Sequence, residues 1–291
     1  MKLEIRFVKY DVEQLAFVEV DERFIYNAKS KGAITKKVNT YMDRFVVAEY
    51  ARGEDFVVYR AMLRISPITG KPMDREKTIH ITIHDEEGKM ADIKSISTCC
   101  LLNPICIQRA LLEGCVCSEC YAKTDVKYKP GLKKWLIWNF AVLNLGILDK
   151  GDLPVITDDI FRIESFGDVA TEFCAINYLH IIYKNKRTWF SVWTKNAGLW
   201  DRPIKREGKP KNATFILSSP FVNVELDLEL MQTLYPWVDK VFTVYDDETE
   251  SNCAGLGCRH QCGRCYGPKS RKTDANIRER LRKRGGKKKS A

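Results

Sequence analysis

The residues with the greatest chemical capacity in this 291-residue chain are its eleven cysteines. Cys99, Cys100, Cys106, Cys115, Cys117 and Cys120 fall in one short stretch, and Cys253, Cys258, Cys262 and Cys265 in another; Cys174 stands alone. A deprotonated thiol is a soft, charged donor, and two cysteines separated by two residues wrap one ion in a tight turn. Cys117-Ser118-Glu119-Cys120 and Cys262-Gly263-Arg264-Cys265 both have that spacing, and each is followed by tyrosine. Cys253, Cys258, Cys262 and Cys265 offer a complete set of four thiolates. Zinc and a four-iron, four-sulfur cluster both accept such a set, and spacing does not separate them. Cys106, Cys117 and Cys120 offer three, with Cys115 competing with Cys117. Three thiolates leave a coordination position open, which suits chemistry rather than structure. A single site shared by both sets is the third arrangement. Cys99 and Cys100 read equally well as small core residues, and Cys174 as core.

The composition says where such thiols persist. Met1-Lys2-Leu3-Glu4-Ile5-Arg6 lacks the apolar core of a signal peptide. The longest apolar stretch, Trp135 to Leu148, contains Asn139 and Asn144 and falls short of the roughly 20 residues of a spanning helix. We therefore expect a cytoplasmic protein with no membrane partner, in a compartment where clustered cysteines bind metals or do redox chemistry rather than form disulfides. Hydrophobic residues make up 45% and charged residues 30%, which excludes a disordered, collagen-like or coiled-coil chain. P-loop, Gly-x-Gly-x-x-Gly, Gly-x-Ser-x-Gly and His-Glu-x-x-His motifs are absent from the sequence. His80 and His84 share one face of an alternating run, Thr78 to His84, and read as polar residues on a wet strand.

The elements that must position the cysteines fall into three regions. Residues 1–90 read as β-rich, with strands near Val18–Ile25 and Asp43–Tyr50; Gly88 marks a turn and Met90–Ser97 a returning strand. Residues 91–270 read as an α/β core. Gly131 to Leu148 is apolar almost all round, as in a helix buried on most sides. Strands are expected at Ile160–Ser165, Thr188–Thr194, Ala213–Ser218 and Lys240–Tyr245, with helices at Ala170–Tyr183 and Asp227–Trp237. Such alternation means βα units and a parallel sheet. We expect an incomplete (β/α) barrel-like sheet, with a doubly wound sheet as the alternative. Ser165, Gly167, Asp168, Lys195 and Ser218 follow strands and would share one rim with both cysteine loops, where ligands bind in parallel α/β folds.

The remaining 21 residues, 271–291, read as a basic flexible tail, with ten basic residues against two acidic. The tail accounts for +8 of the chain's net +10. Ala275 to Arg284 has helix-forming composition. Arg280, Arg282, Lys283, Arg284, Lys287, Lys288 and Lys289 are the candidates for phosphate contacts to nucleic acid. No aromatic residue lies there to stack on a base.

Several of these motifs resemble a known group. Cys106…Cys117-x-x-Cys120-Tyr121-Ala122 resembles the cysteine motif of the phage gene product 88 family. Arg162-Ile163-Glu164-Ser165-Phe166-Gly167-Asp168 resembles that family's Arg-containing strand ending in Gly-Asp, and Phe190-Ser191-Val192-Trp193-Thr194-Lys195 its aromatic strand ending in Thr-Lys. Cys262-x-x-Cys265-Tyr266 completes the order, over about residues 94–267. The resemblance implies a phage or prophage protein without an established activity, working in the host cytoplasm. More distantly the pattern is similar to radical S-adenosylmethionine enzymes, which place three cluster cysteines in the loop after the first strand of a partial barrel. Of the usual Cys-x3-Cys-x2-Cys, only Cys117-x2-Cys120 matches. This similarity implies a four-iron cluster and S-adenosylmethionine, with Gly167, Asp168 and Ser218 as cofactor-binding candidates and Asp168 and Lys195 as catalytic ones. The expectation is an iron–sulfur protein doing radical or redox chemistry on a nucleotide or nucleic acid. The alternative is a zinc-stabilised nucleic-acid-binding protein without catalysis.

Overall fold

The computed structural model describes residues 2–11, 16–27, 46–49, 81–87, 90–144, 146–247, 250–253, 262–273 and 275–281. The amino-terminal strands β1 (Lys2–Asp11), β2 (Ala16–Asn27) and β3 (Val46–Glu49) form an antiparallel sheet in the order β2-β1-β3. Thr78, Ile79 and His80 of the expected strand Thr78–His84 lie outside the described residues; Ile81 to Ile83 are not in a strand, which begins only at His84. Strands β4 (His84–Asp85) and β5 (Lys94–Ile96) pair antiparallel, and Gly88, the expected turn, lies outside the described residues.

From β5 onward the chain builds a parallel sheet one strand at a time. The strands β6 (Ile160–Ile163), β7 (Trp189–Thr194), β8 (Ala213–Ser218) and β9 (Lys240–Tyr245) are rich in aromatic and β-branched residues, which fit a pleated, buried surface. The last strand, β10 (Asn276–Arg280), pairs parallel to β9. The spatial order β10-β9-β8-β7-β6-β5-β4 follows the chain. The result is an open, seven-stranded, mostly parallel sheet.

Helices cover one face. In chain order they are α1 (Pro104–Arg109), α2 (Tyr121–Tyr128), α3 (Pro130–Asn144), α4 (Glu172–Lys184), α5 (Ala197–Glu207) and α6 (Leu228–Leu234). Alternate strand residues Phe161, Ile163, Phe190, Val192, Phe215 and Leu217 join Val142, Tyr178, Leu179, Ile182 and Trp200 from the helices in one buried cluster. Trp200 stacks on Tyr178 and meets Phe215 edge-on, with ring centroids 6.2 and 5.4 Å away. Burying each such side chain stabilises the fold by about 2–3 kcal/mol. The in-sequence strand order and the helices on a single face of this core rule out the doubly wound alternative.

The polar residues within apolar α3 clamp backbone. Asn139 exchanges hydrogen bonds with both the N–H and C=O of Thr82 at 2.9 and 2.8 Å and donates to the Ser97 carbonyl. The amide thus completes backbone pairing where β4 is short.

The opposite sheet face carries Arg162, Ser191 and Thr214 in register across β6, β7 and β8. It is covered by the segment from Cys262, which ends in a 3-10 turn (Pro268–Lys272). Ser191 Oγ donates to the Cys265 carbonyl, and Thr214 and Ser270 hydroxyls lie 2.8 Å apart. Lys240, almost fully buried, donates to Thr273. Arg271 stacks on the Trp189 ring at 5.1 Å and donates to backbone carbonyls of Pro210 and Ala213.

These contacts correct the reading of residues 271–291 as one flexible tail. The helix expected from Ala275 is the strand β10, and Arg278 pairs with Glu225 at 3.1 Å. The backbone ladder to β9 decides the conformation, over the helix propensity of Arg and Glu.

Candidate functional site

The first cysteine loop is tied to the ends of three strands. After β5 the chain turns at Asn103, whose side-chain oxygen caps α1 by accepting from the backbone N–H of Ile105 and Cys106. The other end of the same amide donates to the Asp168 carbonyl at 2.8 Å, anchoring Cys106 beside the loop after β6. Arg109, closing α1, donates to the Lys195 carbonyl after β7. Val116 N–H donates to the Pro220 carbonyl after β8 at 2.8 Å. Cys120 is the N-cap of α2, and Tyr121 Oη donates to the Ser165 carbonyl.

The loop after β6 is built on buried carboxylates. Glu164 has a positive φ of 62° and accepts from Thr98 N–H, Thr98 Oγ1 and Tyr178 Oη. Burial pushes its pKa up to about 7. Asp168 accepts from Thr194 Oγ1 and the backbone N–H of Lys195, both at 2.7 Å, and from Val169 N–H. Its pKa is also raised by burial, against those donors. Gly167 packs against Thr98 so closely that a Cβ would lie 2.5 Å from the Thr98 carbonyl oxygen. The Gly-Asp pair thus has a structural duty: glycine permits the approach, and aspartate fixes the backbone that presents Lys195.

At this rim lies a cavity of about 740 Å³. Cys100, Cys106, Cys117 and Cys120 line it from the first loop, and Cys253, Cys262 and Cys265 from the second. Gly167, Asp168, Lys195, Ser218 and Arg280 line it too. The expected convergence of two cysteine loops on the carboxyl ends of the parallel strands is therefore present among the described residues. No protein family, curated protein or solved structure matches this chain.

The thiols of the first loop are electrostatically unequal. Cys120 is drawn down to about 6, chiefly by the hydrogen bond from Cys100 and further by backbone amides at the start of α2 and by Lys195. Burial pushes Cys106 well up and Cys117 up to about 11, while Lys195 opposes both shifts. The site thus holds one thiol inclined to ionise beside several that resist it, with Lys195 the cation that favours thiolate at all three.

The donor chemistry suits a thiophilic metal, but the positions do not form a coordination shell. Among the described residues, no group of three or more His, Cys, Asp or Glu side chains is arranged to hold a metal ion. The sulfurs associate in pairs, Cys100 with Cys120 and Cys115 with Cys117. Cys258 lies outside the described residues, as do Arg282, Lys283, Arg284, Lys287, Lys288 and Lys289. Of the proposed nucleic-acid contacts only Arg280 is described, at the end of β10.

Cys174 is fully buried on α4 and Cys99 in the cluster beneath α3. His84 is half-buried, edge-on to Phe166 at 5.5 Å. Cys100, Arg162, Glu164 and Tyr266 line or support the cavity and carried no chemical role in the sequence reading. Only the Cys-x-x-Cys-Tyr repeat pointed toward Tyr266. No helix among the described residues is long and apolar enough to cross a membrane.

Proposed function

We propose that this chain is an iron–sulfur enzyme whose cluster sits at the mouth of a partial-barrel cavity on Cys106, Cys117 and Cys120. The observation that carries the proposal is the lining of one cavity by both cysteine sets, at the rim where parallel α/β folds bind ligands. Binding requires these three sulfurs to converge further than they do here, so the loop from Cys99 to Tyr121 must tighten when loaded. A four-iron cluster held by these three thiolates would supply one-electron redox chemistry and could take a small ligand such as S-adenosylmethionine. The chain's own residues do the rest. Lys195 favours the thiolate forms, Asp168 holds the Lys195 backbone, and Ser218 gives the wall a hydroxyl. Cys253, Cys258, Cys262 and Cys265 would hold a second cluster or a structural metal. The substrate class we assign is a nucleotide or nucleic acid, reached from the side where β10 delivers Arg280.

Anaerobic purification followed by iron and acid-labile sulfide analysis tests this. Iron and sulfide in near-equal amounts are expected, with a loss of about four iron atoms on replacing any of Cys106, Cys117 or Cys120 by serine. Stoichiometric zinc without iron after reconstitution would overturn it and favour the zinc-stabilised alternative.

A further inference from the structure

We propose that Arg162 is the anion-recognition residue of the cavity, and that the cavity ligand therefore carries a phosphate or carboxylate group. This rests on reading the cavity as a ligand site, but it does not require the cluster.

Arg162 projects from the middle of β6 into the cavity wall and is about nine-tenths buried. A buried charge is costly unless it is paired. Among the described residues no carboxylate lies within ion-pair distance of it. Nε donates to the Glu164 carbonyl at 3.1 Å, and Nη1 to Tyr266 Oη and the Met90 sulfur. Nη2 donates to no described residue. The guanidinium lies over the Trp193 ring at 4.7 Å, an arrangement that holds the plane of the fork without neutralising it.

The neighbouring carboxylates are committed elsewhere. Glu86 accepts from the Ser95 and Ser165 hydroxyls, and Glu164 and Asp168 are saturated by the donors described above. Burial works against the Arg162 charge, while Tyr266, in direct contact with it, and Tyr121 and Glu86 favour it. On the same wall Trp193 Nε1 is a buried donor without an acceptor among the described residues. A fixed planar cation with an open donor is suited to the two oxygens of a carboxylate or phosphate. Lys195 and Arg109, on the rim of the same cavity, add positive potential near its mouth.

The test uses the full chain purified anaerobically. Inorganic phosphate, pyrophosphate and malonate are titrated separately by calorimetry, against sodium chloride of matched ionic strength. Saturable binding of a phosphate species or of malonate is expected, and the tighter of the two names the ligand's acidic group. Arg162→Lys should weaken that binding by roughly tenfold or more, because a point charge replaces the fork. Should that variant fail to fold, wild-type protein is treated with phenylglyoxal and its peptides mapped by mass spectrometry; the bound anion should protect Arg162. Absence of saturable binding, unchanged affinity in Arg162→Lys, or modification of Arg162 indifferent to the anion would each overturn the assignment. Iron content read on the same samples separates the two proposals. Anion binding without iron removes only the cluster, and iron without anion binding removes only the role of Arg162.

Discussion

Replacing Glu164 by glutamine should abolish a pH dependence of stability that this single carboxyl creates. Glu164 is 1% exposed, and three neutral donors, from Thr98 and Tyr178, reach its two oxygens. Those donors favour the carboxylate, yet burial outweighs them and lifts the pKa from 4.5 to about 7. Folding therefore favours the protonated form. The stabilisation is fully present below pH 4.5 and is lost as pH rises through 7. A shift of that size corresponds to about 3 kcal/mol. Glutamine is neutral throughout and similar in shape, so it lacks this titration. Urea unfolding of both proteins is measured between about pH 4.5 and 8, and the stability difference is plotted against pH. The wild type should lose about 3 kcal/mol relative to the variant across that range, mostly between pH 5 and 7. Asp168, shifted in the same direction, titrates in both proteins and largely cancels. A difference constant to within about 0.5 kcal/mol, near the error of such extrapolations, would refute the assignment of burial as the dominant effect.

Gly167→Ala should destabilise by about 1–3 kcal/mol in denaturant melts, because the new methyl meets the Thr98 carbonyl at 2.5 Å and must displace backbone at the end of β5; a loss below about 0.5 kcal/mol would contradict that contact. Asp168→Asn should cost about 2 kcal/mol by turning an acceptor into a donor against either Thr194 or Lys195, and hydrogen exchange at the Lys195 amide should rise; unchanged exchange would show that the carboxylate does not hold this backbone. Cys120 should be alkylated by iodoacetamide well below pH 8, with a midpoint near 6, and Cys100→Ala should move that midpoint upward, since the Cys100 hydrogen bond is the largest cause of the depression; peptide mapping of the labelled thiols reads both results.

The strands of the parallel sheet were legible because each is a short run of aromatic and β-branched residues bounded by turn-forming ones. The end residues of β7, β8 and β9 lie within one residue of the expected positions. Helix α5 was not among the expected helices because Gly198 and Pro203 interrupt it and charges dominate its exposed side. Its formation depends on Trp200 entering the core against Tyr178 and Phe215, a tertiary contact that local composition does not encode. Strand β10 was misread for the converse reason: Asn276-Ile277-Arg278-Glu279-Arg280 has helix-forming residues, and only an available sheet edge makes it extended. Cysteine spacing revealed the lining of the site. Arg162 and Glu164 were not legible as special, since an arginine or glutamate in a strand acquires its meaning from what the fold removes around it. Glu164 and Asp168 are unusual through desolvation, Arg162 through having no carboxylate at ion-pair distance among the described residues.

Strand order has a consequence in time. Because β5 to β10 are laid side by side as they occur in the chain, the sheet grows at one advancing edge during synthesis. A nascent chain that has emerged as far as β9 already possesses the helices, the apolar core and the first set of thiols. It lacks the segment from Cys262 to Leu281 that supplies the far wall, including Tyr266 beneath Arg162. Folding and completion of the chamber are therefore successive events, and the chamber closes over its arginine only with the last strand.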